Sequence, residues 1–123
     1  MRGAVVLCLL LSGAVLSHEM TPTYPKWEIT AIEDVKKTTM RLWNSREDVG
    51  YYEIGLFDES WKPIPFVTAY RILPVGYLKE VNFDVYVTEN NIPKARYICS
   101  LSKLRSSNES KTLLATKICS KFK

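Results

Sequence analysis

Val81-Asn82-Phe83-Asp84-Val85-Tyr86-Val87 alternates apolar and polar residues, with Phe83, Val85 and Val87 on one side and Asn82, Asp84 and Tyr86 on the other. A period of two marks a β-strand with one buried face; a helix repeats every 3.6 residues and would scatter the same set around its surface. The pattern recurs in both directions. Residues 51–57 put Tyr52, Ile54 and Leu56 on one face, and residues 38–43 put Met40 and Leu42 together, leaving Trp43 with Arg41. Residues 27–31, after Pro22 and Pro25, read as a first strand. Residues 64–73 supply one or two more, and Pro63, Pro65 and Pro74 confine that stretch to a sheet edge, because proline donates nothing to a ladder. Residues 96–101 and 113–119 close the chain as a hairpin around the polar tip 105–110. Phe83, Val85, Val87, Tyr52, Ile54 and Leu56 are the expected centre of the core.

The amino-terminal residues set the expected compartment. A basic start at Arg2, an apolar run over residues 4–11 and the compact residues Val15, Leu16 and Ser17 read as a secretory signal over 1–17. The run is too short for the ~20 residues that a membrane-crossing helix needs. The expected organisation is then a lead-in over 18–25 and a single domain over 26–123, secreted, monomeric and without a membrane span. Removal of Cys8 with the signal leaves Cys99 and Cys119, for which one pairing is possible. If they lie opposite one another, the hairpin 95–120 folds about position 109, inside the polar tip. Asn108 begins the Asn-Glu-Ser sequon and is the candidate glycan site.

Several segments, taken in order, resemble a fibronectin type III domain. Arg41-Leu42-Trp43 is similar to that family's strand B, Gly50-Tyr51-Tyr52-Glu53-Ile54 to its strand C, and Gly76 to Val87 to its leucine, turn and aromatic-led strand F. The resemblance implies an all-β, fibronectin type III or immunoglobulin-like β-sandwich of seven or eight antiparallel strands, with a carboxy-terminal hairpin extension. An alternative alignment makes Tyr97-Ile98-Cys99 strand F, as in immunoglobulin domains with Tyr two residues before Cys. It asks for a second Cys on strand B, which the chain lacks, so the first registration is preferred. The family's integrin-binding tripeptide is absent, and the resemblance implies recognition without naming a partner.

Charge is polarised along the chain. Residues 18–93 hold eight Lys and Arg against twelve Asp and Glu, a balance of −4; residues 94–123 hold eight against Glu109 alone, a balance of +7. Lys103, Arg105, Lys111, Lys117, Lys121 and Lys123 form a candidate basic patch for an acidic protein or a sulfated glycan, whereas a nucleic-acid binder would be basic throughout. Tyr51, Phe57 and Tyr86 point away from the inferred core. They form a candidate aromatic patch if residues 51–57 and 81–87 are neighbours. No catalytic residues, cofactor or metal are expected. With His18 as the sole histidine, no triad around a mid-chain base can be built, and the acidic pairs Glu33-Asp34, Glu47-Asp48 and Asp58-Glu59 fall in turns. The expected function is non-enzymatic recognition by a secreted protein. The alternative is copper binding or a cryptic activity on His18 at a new amino terminus, against the plainer reading of a frayed end.

Overall fold

Two antiparallel four-stranded sheets hold their apolar faces against one another in the computed structural model, which describes residues 18–104 and 115–123. Strands β1 (His18–Thr21), β2 (Glu28–Ile29), β3 (Val35–Asn44) and β6 (Lys79–Thr88) make the first sheet. Strands β5 (Ile72–Pro74), β4 (Val49–Phe57), β7 (Tyr97–Leu104) and β8 (Lys117–Lys121) make the second, in that order. β1 and β2 share one side of β3, and β6 runs along the other from Val35↔Thr88 to Asn44↔Lys79. A short 3-10 turn, Glu89–Lys94, carries the chain from β6 to β7.

Alternation decides which residues meet in the middle. Met40, Leu42, Phe83, Val85 and Val87 from the first sheet join Tyr52, Ile54, Leu56, Leu73 and Ile98 from the second in one cluster. All six side chains expected at the centre are at most 6% exposed. Trp43 faces outward with Arg41, as its parity requires, while Met40 and Leu42 are fully buried.

Three expectations change. Residues 81–87 do not lie beside residues 51–57: β6 pairs with β3, and the place next to β4 belongs to β7. Inward parity is the same for either neighbour, so alternation alone could not separate them. Secondly, the lead-in 18–25 is not a loose end, because residues 18–21 form β1 with alternate side chains buried. Thirdly, the strand expected over 27–31 shrinks to two exposed residues, Glu28 and Ile29. Trp27 instead stacks on Phe122, with centroids 4.5 Å apart and planes 9° from parallel.

The stretch 63–74 supplies one edge strand, β5, and two isolated bridges, Phe57↔Pro63 and Val67↔Tyr86. Between β5 and β6 runs a groove of about 400 Å³, whose lining includes Tyr70, Leu73, Val81 and Phe83.

Candidate binding face

The outer face of the second sheet is set by register. With Tyr52, Ile54 and Leu56 turned inward, Tyr51, Glu53, Gly55 and Phe57 point out; with Ile98, Ser100 and Ser102 inward, Tyr97, Cys99, Leu101 and Lys103 point out. On β8, Lys117, Cys119 and Lys121 share that side. The rows across the strands are Tyr51–Lys103, Glu53–Leu101–Lys117, Gly55–Cys99–Cys119 and Phe57–Tyr97–Lys121. The disulfide joins Cys99 to Cys119 as directly opposite residues, with Cα atoms 4.0 Å apart. It fastens β8 to β7 within this sheet and does not bridge the two sheets.

Aromatic rings gather at one end of the face. Trp61, on the turn after β4, stacks on Tyr97 with centroids 4.1 Å apart and planes 5° from parallel, and meets Phe57 at 5.9 Å. Lys117 Nζ stands 4.9 Å from the indole centroid, a cation–π contact. Phe57 lies over Gly55, where a Cβ would come within 2.8 Å of the ring. Lys103 is paired with Glu53 at 3.2 Å, and Arg96 reaches Glu59 at 3.5 Å.

The two surfaces read from the sequence thus converge, but only in part. Tyr51 and Phe57 lie on this face; Tyr86 does not, because it sits on β6 opposite Lys37 in the other sheet. The three-residue patch is therefore split, a direct result of β6 neighbouring β3. Of the basic set, Lys103, Lys117 and Lys121 are on the face. Lys123 lies past β8 with its Nζ 4.6 Å from the Tyr24 ring. Arg105, Lys111 and Asn108 lie outside the described residues. Trp61 and Tyr97 were missed. Tyr97 shares the parity of Cys99, which was a usable signal, whereas nothing local in the sequence aims a turn tryptophan at a particular ring.

The outer face of the first sheet is different in kind. Thr39 donates to Asp84, and Arg41 pairs with Glu80 at 3.3 Å, so opposite charges and dipoles meet across the strands.

His18 is 2% exposed between the sheets. Its Nε2 lies 2.8 Å from Ser100 Oγ and 3.3 Å from the Ser100 carbonyl, and its Nδ1 lies 3.3 Å from Thr116 Oγ1. A carbonyl can only accept, so Nε2 carries the proton and Nδ1 accepts from the Thr116 hydroxyl. The Ser100–His18 distance is that of a nucleophile and its base. Ser100 is nevertheless fully buried, and the group on Nδ1 is a hydroxyl where a triad has a carboxylate. Both ring nitrogens are engaged, so the ring has no free nitrogen for copper. Among the described residues, no three His, Cys, Asp or Glu side chains gather as a metal site would need. The frayed end expected for His18 is corrected: the ring is a buried crosslink between β1 and β7.

Next to it, the Tyr52 ring sits 4.5 Å away, and burial pushes its phenol up to about 12. The Tyr52 hydroxyl donates to Asn44 Oδ1, and Asn44 Nδ2 donates to the carbonyls of Val49 (2.8 Å) and Val75 (3.0 Å). Arg46 grips Asp48 through Nε at 3.0 Å and Nη2 at 2.6 Å, holding that carboxyl below its usual range.

Burial holds the His18 ring below its ordinary 6.5, with Arg46 adding to the effect and the Ser100 carbonyl partly opposing it. The unfolded chain then binds the proton more readily than the folded one, so stability rises with pH across this window. The contribution is complete above pH 6.5 and is lost as pH falls below that value toward the folded pKa. Urea midpoints measured from pH 7.5 to 5 should fall accordingly. The fall should flatten in His18→Gln; an equal fall in that variant would locate the titrating group elsewhere.

No helix among the described residues is long and apolar enough to cross a membrane. No protein-family model matches the chain, and no curated protein matches it. The crystal structure of a FixG-related protein from Vibrio parahaemolyticus is similar to it at a TM-score of 0.47 and 14% sequence identity, with 88% of this chain and 96% of that chain covered.

Proposed function

We propose that the chain is a secreted, non-enzymatic recognition module built on a fibronectin type III or immunoglobulin-like sandwich. Its outer β5-β4-β7-β8 face binds an anionic extracellular partner, either an acidic protein or a sulfated glycan. The observation that carries this reading is the joining of stacked aromatics and lysines, Trp61 and Tyr97 with Lys117 and Lys121, on one sheet face. Strand order supports the scaffold. β3 between the amino-terminal strands and β6, facing β4 between β5 and β7, follows the neighbour order of such sandwiches. In that frame β6 takes the place of strand E and β7 that of strand F, in keeping with the Tyr97-Ile98-Cys99 alignment. Secretion is supported by the apolar run over residues 4–11 and by the disulfide, which persists in oxidising compartments.

Binding of this kind is screened by salt, since the Debye length falls from about 10 Å at 0.1 M to about 3 Å at 1 M. Replacing Lys117 and Lys121 together by Gln should lower the salt concentration at which the protein leaves a heparin column. The change in stability should stay below about 1 kcal/mol. Lys123→Gln, off the face, serves as the control and should shift elution less. Elution of the wild-type protein below about 0.2 M salt, unchanged in the double variant, would count against an anionic partner.

A further inference from the structure

The turn that carries Trp61 has the geometry of a glycine turn. The Trp61 N–H donates to the Asp58 carbonyl and the Asp58 N–H to the Lys62 carbonyl, both at 2.9 Å. Asp58 Oδ1 accepts from the N–H groups of Ser60 (2.8 Å) and Lys62 (2.9 Å). This is a three-residue hairpin loop: a hydrogen-bonded turn from residue 58 to 61 that ends on a left-handed residue, where glycine fits without strain. That residue is Trp61, at φ 65. A bulky side chain at positive φ is uncommon, and such backbone strain concentrates at functional sites.

Trp61 is also 47% exposed. One ring face rests on Tyr97, Phe57 meets the indole at 5.9 Å and the Lys117 ammonium stands 4.9 Å from its centroid; the indole surface beyond these contacts is open to solvent. The surrounding charge favours an anion. Lys117 and Lys121 flank the stack; of the acids in the turn, Asp58 accepts from two backbone N–H groups and Glu59, largely exposed, reaches Arg96 at 3.5 Å.

We propose, resting on the reading of this face as an anion-binding surface, that Trp61 anchors a subsite for a sulfated sugar ring. The exposed indole packs against the apolar C–H face of the pyranose, and Lys117 and Lys121 take its sulfate oxygens. A sulfated sugar carries a ring face and anionic oxygens in one unit, as the subsite requires. An acidic peptide brings the charge without the ring. This contact gives a reason for tryptophan at a position where the turn itself would be better served by glycine.

Calorimetric titration of the full disulfide-bonded protein with a heparin hexasaccharide tests the assignment. Its desulfated counterpart, an oligoglutamate and a charge-matched single-stranded DNA serve as parallel probes. Trp61→Gly and Trp61→Asn, both compatible with positive φ, should weaken hexasaccharide binding at least tenfold while the melting temperature holds or rises. The desulfated sugar, the oligoglutamate and the DNA should bind at least tenfold more weakly than the hexasaccharide. Unchanged affinity in both variants, with binding still lost in the Lys117 and Lys121 double variant, would overturn the role of Trp61 and leave the anionic face intact. Equal, Trp61-dependent binding of the DNA or the oligoglutamate would overturn the sugar class. Absence of binding to every anionic probe would overturn both this inference and the reading beneath it. A lowered melting temperature with unchanged affinity would make Trp61 a structural cover for Tyr97.

Discussion

Phe83→Ala is expected to destabilise the protein by about 3 kcal/mol, the low end of the range for truncating a buried phenylalanine. Phe83 is 6% exposed, sits opposite Met40 on β3 and belongs to the cluster shared by both sheets. Its removal forfeits the ring's burial and leaves a space that well-packed neighbours cannot fill. The low end applies because Phe83 also borders the groove between β5 and β6, so water and Tyr70 have a route into the vacated volume. A small domain holds about 5–15 kcal/mol in all, so the variant should unfold at a clearly lower urea midpoint with an unchanged slope. An unaltered midpoint would mean that residue 83 does not face the core.

Loss of the disulfide is the second large effect. Cys99 and Cys119 are 20 residues apart, and opening a loop of that length returns about 3 kcal/mol of chain entropy to the unfolded state. The damage should begin at β8. This strand is paired on one side only, and beyond it Phe122 is held by its backbone bond to the Arg96 carbonyl and its stack on Trp27. The Cys99→Ser, Cys119→Ser double variant should melt roughly 10–20 °C lower. Hydrogen exchange should quicken first in residues 117–122. Equal melting of the wild type and the double variant, each without reductant, would show that the bridge adds nothing to the fold.

Alternation carried most of the core. Phe83, Val85, Val87, Tyr52, Ile54 and Leu56 are buried because a strand can turn only every second residue to one side, and that rule is written in the sequence. The Cys99–Cys119 pairing was legible for a related reason, since hairpin register is a matter of counting through one turn. Neighbour choice was not legible. It depends on how two sheets divide the strands, and the outward parity of Tyr86 fits either sheet. β1 was missed because its inward residues are His18 and Met20, and a histidine at an inward position reads as a polar end. What makes it tolerable inside is the pair of hydroxyls from Ser100 and Thr116, brought from the far end of the chain. Trp61 was hidden for a different reason: its turn has the hydrogen bonds of a glycine loop without the glycine.

The lengths of the outer strands carry a consequence for behaviour at high concentration. Cross-β aggregation needs an uninterrupted row of free backbone donors and acceptors onto which another chain can add. Here β1 offers four residues before Pro22, β2 two and β5 three, ending at Pro74. β8 has five, with Lys117 and Lys121 at its ends and the Lys121 N–H already given to the Thr23 carbonyl. The one long outer strand, β6, is interrupted where Tyr86 exchanges both backbone bonds with Val67 and Thr68 covers the Asp84 carbonyl. A fold that is about half strand thereby leaves a second chain, among its described residues, few places to begin a fibril.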